Sequence, residues 1–414
     1  MHPFASYVLR KYYKATGWNE DNLFTNLTRS SDAILDFTVP KGLHLSISKS
    51  PNALFKTTYS MNAMPSLNGS VGYIFTSCDL DVQSSAEVRF KDMIERFRVY
   101  DQPRRPEGKG DEWLAGERVN TRDYLMYGRL YIPTGRLDAL YSTRLTPNLQ
   151  AIAAAISEPP SPLSTRSNVS NLMLSLQHDV GKWCTEYTYS AEDSMWGIKA
   201  LHNFGRAPVT GAEALQTPTQ PGVKRVDEED AVDGGLRGRL SAGAEVYFSA
   251  KEKSAGVSTG IRFSTTPDAK PPPAGGPTLA ANAPQPPTTI TALFNPMLGH
   301  ISGAYSARVS GDLALSSRFD FNVYSYESEW TMGAEYWLRR QNDWDGDVLT
   351  LEASKRQVHG VVKARASTSN DVAVLWEGRM RNMLISLGVV ADFSSHGRVK
   401  PIRAMGMELA YFSS

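Results

Sequence analysis

Lysine and arginine total 44 and aspartate and glutamate 43 in 414 residues, a net charge of +1. That balance excludes a general nucleic-acid binder, which needs a basic excess to neutralise phosphates. Mean hydropathy is −0.34, and no apolar run approaches the roughly 18 residues of a transmembrane helix, but strands that alternate lipid-facing and water-facing residues would keep just such an average.

The pass along the chain begins with a short basic helix. Pro3 stands at its first turn, Phe4, Tyr7 and Val8 follow at helical spacing, and Gly17 stops it. Over Pro3–Ala15 the charges are Arg10, Lys11 and Lys14. Two readings stay open: a helix packed in or against a barrel lumen, or a mitochondrial transit peptide. The segment has no apolar core or cleavage site of the secretory kind, so a barrel of this sequence is not expected to travel by a secretory signal.

From Gly42 onward strands follow one another at hairpin spacing. Leu43–Ser50 and Leu54–Met61 meet at the turn dipeptide Pro51-Asn52. Asp123–Ile132 and Arg136–Leu145 meet at Pro133-Thr134-Gly135. Arg239–Ala250 and Ala255–Thr265 alternate cleanly. The clearest stretch is Asp312–Tyr326. There Leu313, Leu315, Ser317, Phe319, Phe321 and Val323 fall on one face, and Ala314, Ser316, Arg318, Asp320 and Asn322 on the other. Successive strand side chains point to opposite sides, so this is a wall with one apolar and one wet surface. Strands of about ten residues exceed the usual five or six of soluble sheets and suit a tilted bilayer crossing.

Counting generously gives roughly eighteen to twenty strands, within the range of transmembrane barrels. The expected class is all-β: an N-terminal helix and lead-in over 1–41, then one transmembrane β-barrel over 42–414. Leu313, Leu315, Phe319, Phe321 and Val323 are candidate lipid-facing residues. Arg239, Arg262, Arg308 and Arg318 are candidate lumen-facing residues. Three segments break the rhythm and are expected as long loops, either partner-facing or simply tolerated: 102–120, 205–236 and 267–287.

Nothing in the chain points to catalysis, and no cofactor or metal site is expected. It has no P-loop, no GxGxxG after a strand, no HExxH and no GxSxG elbow. The histidines are scattered, with no i, i+4 pair. Asn342–Asp347 (NDWDGD) is a hairpin turn rather than a calcium loop, since its glycine is misplaced and the closing Glu is absent. Cys78 and Cys184 are too few for a disulfide framework or a structural zinc site, and are expected as buried or lone thiols. Three glycosylation sequons, at Asn26, Asn68 and Asn168, match a pattern that arises often by chance.

The block Tyr7–Leu43 (YVLRKYYKATGWNEDNLFTNLTRSSDAILDFTVPKGL) resembles the opening of the fungal mitochondrial distribution and morphology barrel family. The turn Lys49-Ser50-Pro51-Asn52, the strand spacing and the last strand extend the resemblance. In that strand Gly406, Leu409 and Tyr411 are similar to a mitochondrial barrel sorting signal, although Ala404 occupies its polar position. Met405, Met407, Leu409 and Tyr411 together make an apolar face suited to lipid.

The resemblance implies a nineteen-stranded barrel in the mitochondrial outer membrane. An odd count makes the first and last strands run the same way, giving a parallel seam. The implied role is non-enzymatic: a subunit of the ER–mitochondria encounter structure and of the sorting and assembly machinery. The implied partners are tethering-complex subunits, among them soluble lipid-transfer-domain proteins and an ER-membrane subunit, together with the assembly machinery's barrel core and membrane lipids. The rivals are an anion-channel-type metabolite pore, with the four arginines lining wet space, and a soluble all-β binding protein.

Overall fold

The structure, a computed structural model, describes residues 3–80, 82–100, 106, 112–114, 117–119, 122–159, 170–205, 238–265, 286–339, 358–393 and 402–413. The expected loops 205–236 and 267–287 lie almost wholly outside these residues, as do the Asn342–Asp347 turn and Asn168. The third expected loop, 102–120, needs a correction. Within it β4 (Glu112–Leu114) and β5 (Glu117–Val119) pair as a short hairpin of their own, so the stretch is not wholly irregular.

Helices α1 (Pro3–Thr16) and α2 (Arg29–Leu35) precede the wall, and α3 (Phe90–Met93) sits inside its third connection. The wall opens with β1 (Gly42–Lys49), β2 (Phe55–Met64) and β3 (Asn68–Thr76). It resumes with β6 (Tyr124–Ile132), β7 (Leu137–Thr146), β8 (Leu149–Ser157), β9 (Ser170–Asp179), β10 (Trp183–Ser190) and β11 (Met195–Asn203). Then come β12 (Gly238–Ser249), β13 (Ser254–Thr265), β14 (Thr288–Asn295), β15 (His300–Arg308) and β16 (Leu313–Asn322). The last strands are β17 (Ser328–Arg339), β18 (Val358–Ser367), β19 (Asp371–Met380), β20 (Met383–Asp392) and β21 (Ile402–Ser413).

Sequential strands pair antiparallel in one 19-stranded sheet, and the sheet closes where β1 meets β21 in parallel. Closure leaves no strand edge, so the whole ladder satisfies its own backbone, as a membrane requires. The parallel seam runs from Gly42↔Gly406 to Lys49↔Ser413. Two glycines begin it for a steric reason. Gly42 has φ +78, and a Cβ on Gly406 would stand 2.4 Å from the Pro40 carbonyl oxygen and 2.6 Å from the Gly42 nitrogen. The chain turns from the lumen into the wall across that spot.

The period of two is visible in β16. Ala314 and Ser316 are buried on the inner side, whereas Leu315 and Phe319 are 42% and 51% exposed on the outer. One boundary differs from expectation: β16 ends at Asn322. Asn322 Oδ1 accepts the backbone N–H groups of Tyr324 and Ser325, and Tyr326 takes φ 58. This closes a hairpin, so Val323 is an exposed turn residue at the rim rather than part of a lipid-facing strand.

Strand directions also sort the connections. With β1 starting at a near rim and ending at a far rim, β3, β11, β13 and β17 all end at the far rim. The connections of 77–123, 204–237, 266–287 and 340–357 therefore all join strand ends there. The near rim carries mostly tight turns, such as 65–67 and 296–299.

Candidate functional site

The lumen is filled by two irregular segments. The first is the N-terminal 41 residues. Phe4, Tyr7, Val8 and Tyr12 of α1 are buried against Ile74, Leu125, Phe412 and Trp337 of the inner wall, toward the far rim. The Phe4 and Phe412 rings meet tilted at 46°, with centroids 4.9 Å apart. The chain then descends: α2 lies along β16–β18, and Phe37 and Val39 pack on Ala373, Leu375 and Val390 near the rim where β1 begins. The helix expected over Pro3–Ala15 is thus a lumenal helix, one residue longer than its spacing indicates.

Sequence reasoning missed the second segment. The connection after β3 does not stay at the rim but folds inward, burying Leu80, Val82, Val88, Phe90 and Met93 against α1 and the wall, and Phe97 against Ile34 and Leu35 of α2 and Ala314. A signal for it exists in Val88–Tyr100, VRFKDMIERFRVY. Its apolar residues are too dense for a solvated loop and lack strand alternation, so they need a core somewhere.

Irregular backbone inside a barrel leaves carbonyls that no ladder satisfies. Here wall cations cap them. Arg262 Nη1 donates to Asn26 O at 3.4 Å, Arg308 Nη2 to Phe97 O at 3.0 Å, and Arg365 Nη1 to Leu35 O at 2.9 Å. Lys363 Nζ donates to Ala33 O at 2.9 Å and to Glu95 O, joining both lumenal segments to β18. Arg379 Nη1 donates to Ala86 O at 2.9 Å and Nη2 to Val88 O. Glu335 completes the pattern by accepting the Phe97 N–H at 3.1 Å. Hydrogen bonds from charged groups contribute about 1.5–3 kcal/mol each.

Side-chain polar pairs add register. Arg318 grips Asp36 through Nη1 at 2.6 Å and Nη2 at 3.1 Å. Asn22 Nδ2 donates to Asp179 Oδ1 at 2.8 Å, Asn203 Nδ2 to Asn22 Oδ1 at 2.7 Å, and Ser241 Oγ to Asn203 Oδ1 at 2.7 Å. That relay ties the lead-in to three strands. The last strand is held too, since the backbone N–H of Ser85 donates to Phe412 O at 3.1 Å.

All four arginines expected toward the lumen share the inner parity of their strands: Arg239 on β12, Arg262 on β13, Arg308 on β15 and Arg318 on β16. Three of them contact the lumenal segments, and Arg262 is 1% exposed, stacked 5.2 Å from the Tyr100 ring. Leu313, Leu315, Phe319 and Phe321 share the outer parity of β16. On β21, Leu409 and Tyr411 take the outer parity with Met405 and Met407, whereas Gly406 takes the inner one, under Pro40. Cys78 and Cys184 are free and buried. Asn26 stands inside the lumen, donating to Glu20 O at 2.7 Å, which removes it from any glycosylating enzyme. Among the described residues, no group of His, Cys, Asp or Glu is placed to hold a metal ion.

Between the two lumenal segments lies a cavity of about 460 Å³. It is lined by α1, the Trp18–Asp21 turn, the start of α2 and the stretch Lys91–Tyr100, with no wall residue among them. Arg29 is its electrostatic hub, with Nη1 2.7 Å from Glu20 and 3.2 Å from Asp21, and Nη2 3.3 Å from Glu95. Burial raises the Asp21 carboxyl above its ordinary value, against the lowering charges of Arg98 and Arg29. Burial likewise pushes the Tyr13 and Tyr100 hydroxyls up to about 12.

A family model described as mitochondrial distribution and morphology protein 10 matches residues 1–348 and 347–414. Proteins of that name are similar over the full chain: the Laccaria bicolor protein is 68% identical, with 100% of each chain covered. The Postia placenta protein is 67% identical over 100% of each. The more distant Cryptococcus neoformans protein is 40% identical over 99% of each.

Proposed function

The chain belongs to the mitochondrial distribution and morphology protein 10 family, and from that premise we propose that it is a non-enzymatic anchor in the mitochondrial outer membrane. In one employment it holds the tether joining endoplasmic reticulum to mitochondria, where soluble lipid-transfer proteins and an ER-membrane subunit assemble. In the other it docks on the barrel core of the sorting and assembly machinery and assists late assembly of outer-membrane β-barrels and the translocase. Membrane lipids surround its outer wall, and nucleic acid has no part in either employment.

The observation that carries this reading is a closed wall around a lumen occupied by the chain itself, with three further long connections, 204–237, 266–287 and 340–357, joining strand ends at one rim. A wall that satisfies its own hydrogen bonds frees its rim for partners. Cations bonded to backbone carbonyls are poorly placed to conduct, which disfavours the metabolite-pore alternative. Sorting by Gly406, Leu409 and Tyr411 belongs to the same proposal, and the outer parity of Leu409 and Tyr411 supports it.

A pull-down in mild detergent tests the anchor. Tether subunits and assembly-machinery subunits should come with the protein in two separate complexes. Recovery of neither would sink the proposal, and steady anion-selective conductance of the purified protein in planar bilayers would favour the pore.

A further inference from the structure

Charge inside the lumenal cavity is unevenly matched. The carboxylates of Glu20, Asp21 and Glu95 are taken by Arg29 and Arg98, with Arg98 Nη2 3.2 Å from Asp21. Arg10 is taken by carbonyls, its Nη2 donating to Met93 O at 3.1 Å. Lys11, Lys14, Lys91 and Arg96 also line the cavity, and among the described residues none of the four has a carboxylate within ion-pair distance. Among the described lining residues Asp92 is the one acid outside these pairs, and from the wall Asp312 acts on Lys91 and Glu335 on Arg96.

The surroundings sharpen the excess. Burial lowers the affinity of Lys91 for its proton, and the guanidinium groups of Arg96, Arg339 and Arg308 lower it further against the opposing charge of Asp312, while its Nζ stands 5.6 Å over the Trp337 ring. Arg96 is lowered in the same way by burial, Arg308 and Arg98, with Asp92 and Glu335 opposing. Cations held together against their mutual repulsion are relieved by a multiply charged anion. The cavity volume suits a small ligand rather than a whole diacyl lipid.

We propose that this cavity is an anion site that takes a phosphate group, with Lys91 and Arg96 on one side and Lys11 and Lys14 of α1 on the other. The phosphate belongs either to a soluble phosphate compound or to the headgroup of an acidic lipid. The bound anion would join the two lumenal segments, since each contributes two of the four cations.

The test uses the full chain in neutral-detergent micelles, titrated in a calorimeter with inorganic pyrophosphate and, separately, with dihexanoyl phosphatidic acid. At least one probe should bind, more weakly as salt rises. Lys91→Gln with Arg96→Gln should weaken that binding by about tenfold or more, as should Lys11→Gln with Lys14→Gln on the more accessible α1 face. Lys251→Gln, at the near rim, should leave it unchanged. Pyrophosphate alone would identify a soluble phosphate, and phosphatidic acid alone a headgroup. Absence of binding by both probes would overturn the site, and so would unchanged affinity in either folded double variant.

Discussion

The two ends of the lumen are built from one wall but are furnished differently. Toward the far rim, inner-face residues such as Ile74, Leu125 and Glu335 are buried under the lumenal segments. Toward the near rim on β8, β9 and β11, the residues of the same parity are Ile156, Met173 and Met195, each more than a third exposed. Strand alternation is equally good at both ends. On β8, β9 and β11 the wall keeps its alternation at the near rim without lumenal packing, whereas on β19 and β20 Phe37 and Val39 cover it there. What fills it is a second body, docked where cations meet its carbonyls.

The largest effect expected in testing that division lies outside both ends. Leu315→Arg puts a charge on the outer face of β16 and should cost about 2–4 kcal/mol if it lies near the bilayer midplane. The measure is denaturant unfolding in lipid. On the inner face of the same strand, Arg318→Ala should spare the wall, and equal damage from both would contradict the assignment of faces.

Next comes the packed end. Lys363→Ala removes the donor shared by Ala33 O and Glu95 O and should loosen both segments by about 1.5–3 kcal/mol. Protease should then cut within the first 41 residues while strand content by circular dichroism holds. Simultaneous loss of both would mean that the lumenal body and the wall are one unit.

A smaller effect follows from Asp32 on α2. Burial, opposed by a hydrogen bond from Thr28 and aided by the charge of Asp36, pushes its carboxyl up to about 6 from 3.8. A folded value above the unfolded one disfavours the ionised form on docking. The contribution to docking is therefore full below about pH 4 and is lost as pH rises through about 6. The N-terminal segment should resist protease better at pH 5 than at pH 7.5, and Asp32→Asn should flatten the difference. A preference for the higher pH would reverse this account. Smallest of all, Met173→Gln at the open end should change stability by less than about 0.5 kcal/mol, and a larger loss would show that this end is packed as well.

Strand order and faces were legible because a period of two is local: Leu315 and Ser316 differ in environment because they are neighbours. The end of β16 was less legible, because Asn322 can continue a strand or accept two turn amides and only the geometry shows which. The lumenal body was hardest to read. Asp36 finds Arg318 across 282 positions, and Phe97 is held by Arg308 and Glu335. No spacing rule links such residues, and each segment borrows its hydrogen bonds from side chains far along the chain. The nineteen-strand count came from family resemblance, since alternation alone gave only a range.

The hand-hold between Ser85 and Phe412 couples the lumenal body to the seam. Alongside Arg308, Lys363 and Arg379, a residue of the final strand helps fasten the inward-folded connection, and that same strand pairs with β1 at the seam. Closing the cylinder and completing the grip on its contents therefore both require β21 in place.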